Sequence, residues 1–338
     1  MTKNISRFSP RIAVALATTL TTALALSACG GQREAGSAGT GAASDSCDAG
    51  TGRINIATGN TTGVYYVVGG GLAKLINAET KLQATAAETG ASVQNIQQLA
   101  AGDYDIAFSL ADTAVDAVKG DGAFDGAQKV STLGRIYPNY TQVVVRADSG
   151  IDSVADFKGK RISTGSPQSG TEVIAKRMIQ TAGLKESDVK AQRLDLTKTV
   201  DGMKDGSIDG LVWSGGLPTP AMTDLFTSMG DRVKFIDPTP LLPELQKISP
   251  VYEAVDIPAK TYGLDKDAPS IAVPNVLMVR DDMPDNLACA LTTLTFEKKD
   301  ELVKVHPAAA DIEAALAGET YTIPIHPGSR RALKSLGE

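Results

Sequence analysis

Thr58 to Gly63, TGNTTG, is a run of turn formers set between an alternating stretch, Arg53-Ile54-Asn55-Ile56-Ala57, and a helical pattern that opens at Val64. A loop of this kind aims free backbone N–H groups at whatever sits above it, with the positive end of a helix dipole behind them. The chemistry it suits is holding a small anion. It is not a nucleotide fingerprint: Gly59 and Gly63 do not fit G-x-G-x-x-G, and no G-K-[ST] follows. The unit recurs. Lys160 to Gly170, KRISTGSPQSG, is again a basic residue, a short strand and a polar glycine loop, and it leads into a helical run from Thr171 to Gly183. Thr58-Gly59 is matched by Thr164-Gly165. Gly102-Asp103-Tyr104-Asp105-Ile106-Ala107-Phe108 is matched, at nearly the same spacing, by Gly206-Ser207-Ile208-Asp209-Gly210-Leu211-Val212. Two matches in register imply two similarly built α/β lobes.

Other polar and aromatic residues fall near the same loops. Tyr65 and Tyr66 are about 100° apart on a helix, so either one of them faces the loop or both pack in the core. Thr89-Gly90-Ala91-Ser92 is a second polar turn, with Ser92 at an N-cap position, where capping and ligand contact are compatible. Trp213 is the only tryptophan; beside Ser214-Gly215-Gly216 it either walls a cleft or packs in the core. Arg135 is the basic side chain nearest the passage between the repeats, open to an anionic ligand or to a surface ion pair. Asp103, Asp105, Asp205 and Asp209 sit at helix-to-strand turns and serve the backbone there. The two histidines, His306 and His326, are each followed by proline, and no CxxC, HExxH or G-x-S-x-G occurs. Nothing here supports an enzyme, a metal or a cofactor.

The elements that must position these residues follow in order. Lys3, Arg7 and Arg11 precede the apolar run from Ile12 to Leu26, which ends in Leu26-Ser27-Ala28-Cys29. Residues 1–28 therefore read as a lipoprotein signal peptide, with diacylglycerol on Cys29 and an extracytoplasmic mature chain held to the outer face of the membrane. Residues 29–52, mostly Gly, Ala, Ser and Asp, read as a flexible tether. The formal net charge of -6 comes with no basic patch, so nucleic acid is excluded as a partner, and a monomer is expected. Cys47 and Cys289 remain; outside the cytoplasm they can pair, although NLACALTTL around Cys289 equally suits a buried thiol. Thr132 to Arg146, broken at Pro138-Asn139, reads as the crossing into the second lobe, and Ile271 to Val279 as the return, with Tyr262-Gly263 before it. Helices are expected over Pro284 to Leu302 and Asp311 to Leu316. Lobe 1 is thus 53–141 with 273–338, and lobe 2 is 142–272.

GNTTGVYYVVGGGLAKLI, ETGASVQNIQQLAAGDYDIAF, DSVADFKGKRISTGSPQSGTEV and the terminal IPIHPG together resemble the TAXI family, the extracytoplasmic solute-binding subunits of TRAP transporters. The resemblance runs from Arg53 to the C-terminus. It implies a two-lobed periplasmic-binding fold, type II-like, with two hinge-crossing segments. It also implies capture of a small carboxylate, glutamate-like or a dicarboxylate, for a permease driven by an ion gradient. By motif position the site would draw on Gly59, Tyr65 and Ser92 from the first lobe and on Ser169, Gly170 and Thr171 from the second, with Trp213 and Tyr262 as further contacts. Arg135 departs from the family, which more often has a small residue there.

Overall fold

The computed structural model describes residues 47–337. The expected signal peptide 1–28, the lipidation residue Cys29 and residues 29–46 of the expected tether lie outside the described residues.

In β1 (Thr51–Ala57) Ile54 and Ile56 alternate with Arg53 and Asn55, which puts the apolar pair in the core; the strand takes in Thr51 and Gly52, assigned above to the tether. In α1 (Val64–Glu79) Val64, Val68, Leu72, Leu75 and Ile76 recur at helical spacing and are buried. β2 (Lys81–Ala87), α2 (Ser92–Ala101), β3 (Ile106–Leu110) and α3 (Ala111–Lys119) complete the first repeat. β4 (Val130–Arg146) crosses to the second, which runs β5 (Arg161–Ser163), α4 (Gly170–Thr181), β6 (Lys190–Gln192), α5 (Leu196–Asp205), β7 (Gly210–Gly215) and α6 (Pro220–Met229). After β8 (Val233–Phe235), α7 (Leu242–Ile248) and β9 (Glu253–Ile257), the return strand β10 (Ala268–Arg280) leads to α8 (Asp285–Glu297), α9 (Lys299–Val303) and α10 (Pro327–Ser335).

The strands form one sheet in the order β2-β1-β3-β10-β4-β7-β5-β6, with β8 added to β4 and β9 to β10. β1 pairs in parallel with β2 and β3, and β5 in parallel with β6 and β7, while β10 and β4 are antiparallel to their neighbours. Each half is therefore a parallel triplet closed by a long antiparallel strand, and the two halves mirror each other about the β10/β4 ladder. This is the two-lobed α/β architecture of periplasmic binding proteins with two crossings. The repeat has a backbone cause. Asp105 N–H donates to Asn55 O (2.9 Å) and its carboxylate accepts from Asn55 N–H (2.8 Å); Asp209 N–H donates to Arg161 O (2.7 Å) and its carboxylate accepts from Arg161 N–H (2.8 Å). Gly102 and Gly206, at φ 88° and 79°, end the preceding helices α2 and α5 in the left-handed region.

β4 runs through Pro138-Asn139, where the sequence suggested a break. Pro138 faces Pro274 across the ladder, neither nitrogen can donate, and the register shifts beside them. The proline is felt as a ladder irregularity instead of a chain break. The expected lobe boundaries, 141/142 and 272/273, fall inside β4 and β10. The expected helix from Asp311 to Leu316 is replaced by two short 3-10 turns, Pro307–Asp311 and Ala314–Leu316, and the one expected over Pro284 to Leu302 is divided at Lys298. IPIHPG is a helix start: His326 Nδ1 accepts from Gly328 N–H (3.2 Å) at the head of α10, with Pro327 in the first turn.

Among the described residues, three apolar clusters hold the elements. One joins both lobes, packing Val93, Ile96 and Leu99 of α2 with Ile174 and Met178 of α4 and with Val143 and Val273 of the crossing strands. The others belong to the first lobe, around α1 and α8, and to the second, around α5 and α6. Cys47 and Cys289 form a disulfide that ties the chain ahead of β1 to α8. Among the described residues no helix is long and apolar enough to cross a membrane.

Candidate functional site

The loops after β1, β2 and β5 each open into a helix, and α1, α2 and α4 all start at one cleft between the lobes. Gly59, Asn60, Gly63, Val64 and Tyr65, then Gly90, Ala91 and Ser92, then Ser169, Gly170 and Thr171 line it. Leu110 and Asn139 complete the first side, and Trp213, Ser214 and Gly215 at the end of β7 the second. Ser169 is the N-cap of α4, its Oγ accepting from Glu172 N–H (3.0 Å). Gly170 is required by approach: a Cβ there would lie 2.7 Å from Ser92 Oγ and 2.6 Å from Leu110 Cδ1, so only glycine lets α4 come this close to α2.

The rims touch across the cleft. Asn60 Nδ2 donates to Ser166 Oγ (3.2 Å) while Asn60 Oδ1 accepts from Leu196 N–H (3.2 Å), Thr62 meets Thr197 (3.3 Å), and Gln94 N–H donates to Gln168 O (3.1 Å). The cavity left beneath measures about 30 Å³, room for roughly two water molecules. A larger groove of about 560 Å³ lies elsewhere on the second lobe, floored by Phe226, Phe235 and Tyr262. The small cavity is the better candidate because three helix N-termini converge on it.

No lining residue carries a charge. The floor is amide and hydroxyl instead. Asn275 of β10 donates to Tyr137 O (2.8 Å) and to Asn139 Oδ1 (2.8 Å), and accepts from the Tyr65 phenol. Asn139 Nδ2 donates to Ser214 O (3.3 Å), and Ser214 N–H donates to Thr171 Oγ1 (3.2 Å). Thr171 thus keeps its own O–H free to donate. Burial pushes the Tyr65 phenol well above its ordinary value, so it stays protonated. Ser214 Oγ is buried without a hydrogen-bond partner, as is Thr141 Oγ1 directly across the β4/β7 ladder. Trp213 forms a wall. Its ring lies 3.5 Å from where a Cβ on Gly63 would be, and its Nε1 donates to Thr219 Oγ1 (3.2 Å).

Of the residues singled out from the sequence, Gly59, Tyr65, Ser92, Ser169, Gly170, Thr171 and Trp213 stand together around this cleft. Three readings need correction. Ser92 is not an N-cap; Ala91 holds that place at φ 79°, and the Ser92 hydroxyl instead accepts from Leu110 N–H (3.1 Å), pinning α2 to β3. Arg135 is outside the lining, because Glu319 of the C-terminal segment accepts from its Nη1 at 2.9 Å and neutralises it. Tyr262 is also outside: its ring stacks on Phe226 (centroids 5.3 Å apart), its hydroxyl accepts from Thr219 N–H (3.0 Å), and it faces the larger groove. Asn60, Asn139 and Ser214 were not singled out. The available signal was a polar residue inside an otherwise apolar crossing strand, as at Asn139, Thr141 and Asn275.

The profile of the NMT1-like family matches residues 56–337. Among solved structures, a protein from Bordetella bronchiseptica RB50 is 18% identical over 85% of this chain and 98% of its own, with a TM-score of 0.54. The binding protein component of an ABC phosphonate transporter from Pseudomonas aeruginosa is 16% identical over 77% of this chain and 80% of its own, with a TM-score of 0.50. At these identities the likeness is one of fold.

Proposed function

We propose that this chain, which belongs to the NMT1-like family, is an extracytoplasmic solute-binding protein that closes its two lobes on a small carboxylate and presents it, as a monomer, to a membrane permease. The observation that supports this is a cleft at which three helices begin and into which no side-chain charge projects. Each helix start carries roughly half a positive charge with unsatisfied N–H groups, so the site supplies the complement to an anion. A hydrogen bond to a charged group contributes about 1.5–3 kcal/mol, and donors from both lobes are engaged only in the closed shape. Ligand contact with both sides at once therefore shifts the population toward closure, and the closed surface is what a permease reads. At 30 Å³ the cavity takes a carboxylate and little more, so a longer solute binds with the lobes set further apart.

The sequence resemblance to TAXI subunits favours a TRAP-type permease driven by an ion gradient, and Leu26-Ser27-Ala28-Cys29 favours a lipid anchor on Cys29. An ABC importer is the second reading, suggested by the Pseudomonas neighbour; loss of uptake on collapsing the ion gradient, with ATP maintained, separates the two. A thermal-shift screen of the full chain against carboxylates, phosphonates, sugars and cations tests the ligand class. Ligand at about 100 times its dissociation constant stabilises by about 2.7 kcal/mol, a shift of a few degrees. A shift with sugars or cations alone, or with nothing, sinks the carboxylate reading, and one confined to phosphonates replaces it.

A further inference from the structure

We infer that the groove on the second lobe takes an extended, basic segment of another protein as an added β-strand. The inference stands apart from the solute reading, because this groove and the cleft share no lining residue. It begins with an interruption in the sheet. β10 pairs with β4 as far as Ile271, opposite Thr141, and from Val144 onward β8 takes its place on the same edge of β4, the other edge being held by β7 over both stretches. The groove is the space left between residues 230–237, which include β8, and residues 262–269, which enter β10. Ile236 N–H donates to Val143 O (3.0 Å) and Ala147 N–H donates to Arg232 O (2.8 Å). The alternation of an antiparallel ladder then turns the backbone groups of Lys234 toward β4 and those of Val233 and Phe235 away from it. Gly230 O takes the Val233 N–H. Among the described residues β8 pairs with β4 alone, which leaves the Val233 C=O and both backbone groups of Phe235 as an open edge.

Floor and rim define what fits there. The floor is a stack of rings, with Phe226 centred 4.9 Å from Phe235 and 5.3 Å from Tyr262, and the Tyr262 hydroxyl is already taken by Thr219 N–H (3.0 Å). The rim is acidic: Asp231, Asp237, Asp265 and Asp267, all exposed, stand against Lys234 and Lys266. Lys234 is committed to Asp152 (2.5 Å), and Arg232, next to Asp231 in sequence, is turned to the Met229 and Ser228 carbonyls (3.1 and 2.7 Å). Asp231 and Asp265 have no hydrogen bond or ion pair among the described residues, while Asp237 and Asp267 each spend one oxygen on a nearby N–H, of Thr239 (2.8 Å) and Ala259 (2.7 Å). A strand alternates its side chains, so an apolar residue set on the rings brings a basic neighbour to the carboxylates. The same carboxylates repel a second copy of this edge, which is the ordinary hazard of an unpaired strand.

The test is a calorimetric titration of the full chain with capped peptides of about six residues, an ordinary strand length. One alternates lysine with valine, a second glutamate with valine, a third lysine with serine, and the fourth is the first with its backbone N-methylated so that it cannot donate. Amide hydrogen exchange locates the site. The lysine and valine peptide is expected to bind about tenfold more tightly than each of the others and to slow exchange at Phe235. Asp231→Asn with Asp265→Asn, two exposed positions, is expected to weaken that peptide about fivefold and to leave the thermal midpoint unchanged. Equal binding of the glutamate peptide overturns the basic partner, equal binding of the serine peptide overturns the ring floor, and equal binding of the N-methylated peptide overturns the added strand. Protection of Phe235 that rises with protein concentration alone, with a doubled mass in ultracentrifugation, gives the edge to a second copy of this chain instead. Failure of all four peptides overturns the inference and leaves the solute reading standing.

Discussion

The lobes meet at the cleft and again at the packed junction of α3 with α4, and the two places are built on opposite rules. At the junction the Arg177 guanidinium lies between two carboxylates, donating to Asp112 Oδ2 (3.0 Å), to Asp116 Oδ2 (2.6 Å) and to the Tyr252 hydroxyl (3.0 Å), while Tyr252 in turn donates to Asp112 (2.7 Å). Asp112 is wholly buried and Arg177 nearly so. Burial lifts the Asp116 carboxyl above its usual range and Arg177 pulls it part of the way back. At the cleft no lining side chain is charged, and the buried hydroxyl of Ser214 lacks a partner. Charge is buried where the protein itself supplies the partner in every molecule. It is withheld where the partner arrives from solution. An ion pair inside the cleft would have to break before any solute could bind.

The contrast is broken most forcefully at the junction. Arg177→Met leaves Asp112 buried without its cation, and removing one member of a buried pair costs about 3–5 kcal/mol. The expected result is a fall in thermal midpoint on the order of 10 °C, measured by calorimetry, with partial recovery in Arg177→Met/Asp112→Asn. A midpoint within two or so degrees of wild type would mean that the cluster is solvated in solution. Next in size is the covalent tie. Cys47→Ser is expected to lower stability by about 2–4 kcal/mol, because it frees a long loop in the unfolded chain. Cys47 is remote from the cleft lining, so solute affinity should be unchanged, and an affinity loss would show that the N-terminal segment governs closure.

Smaller effects separate the hydroxyls of the cleft from one another. Thr171 Oγ1 accepts from Ser214 N–H and has its proton to spare, so Thr171→Ala is expected to weaken carboxylate binding by about 1–2 kcal/mol. Ser92 Oγ holds β3 to α2, so Ser92→Ala is expected to appear mainly as a lower thermal midpoint, by about 1–3 kcal/mol of stability. If the two variants lose affinity equally, the assignment of one hydroxyl to ligand and the other to scaffold is wrong.

These two residues also mark how far the sequence was legible. The Thr-Gly loops and the Gly102 and Gly206 turns could be read because local backbone demands fix them: a left-handed helix end, and an aspartate that closes the neighbouring strand's N–H. The same logic placed Ser169 and Gly170 at a helix start. Tyr262 was misplaced and the two readings of Arg135 were left undecided because their partners are remote in sequence, the Phe226 and Phe235 stack for the one and Glu319 for the other, and spacing carries no information about them. Ser92 lay one residue past the true cap because Ala91 adopts a positive φ that favours glycine, and Thr89 Oγ1 takes the Ala91 N–H (3.1 Å). Asn139 and Ser214 were passed over because a β-strand reading weights apolar residues and discounts the polar ones between them. In a strand buried on both faces those polar residues are the anomaly.

A titratable contact of smaller consequence also crosses between the lobes. His306 Nδ1 accepts from Ala308 N–H (3.1 Å), which places the proton on Nε2, and Nε2 donates to Pro218 O of the second lobe (3.0 Å). Burial lowers the His306 pKa below its ordinary 6.5, against the opposing effect of the Pro218 hydrogen bond. The unfolded chain therefore binds a proton more readily than the folded one. Stability from the neutral ring is complete above the ordinary value and declines as pH falls from there through the lower folded value. Protonation also removes the acceptor that holds Ala308, loosening the segment that reaches Pro218. The thermal midpoint is thus expected to drop between about pH 7 and pH 5, and the drop is expected to be shallower in His306→Gln. Glu172, whose pKa is lowered with Arg193, Lys176 and the Gln168 N–H outweighing its burial, contributes stability that is lost only below the ordinary carboxylate value of 4.5. A slope that survives His306→Gln unchanged across the upper window would assign the pH dependence to some other group and leave the Pro218 contact without a role in it.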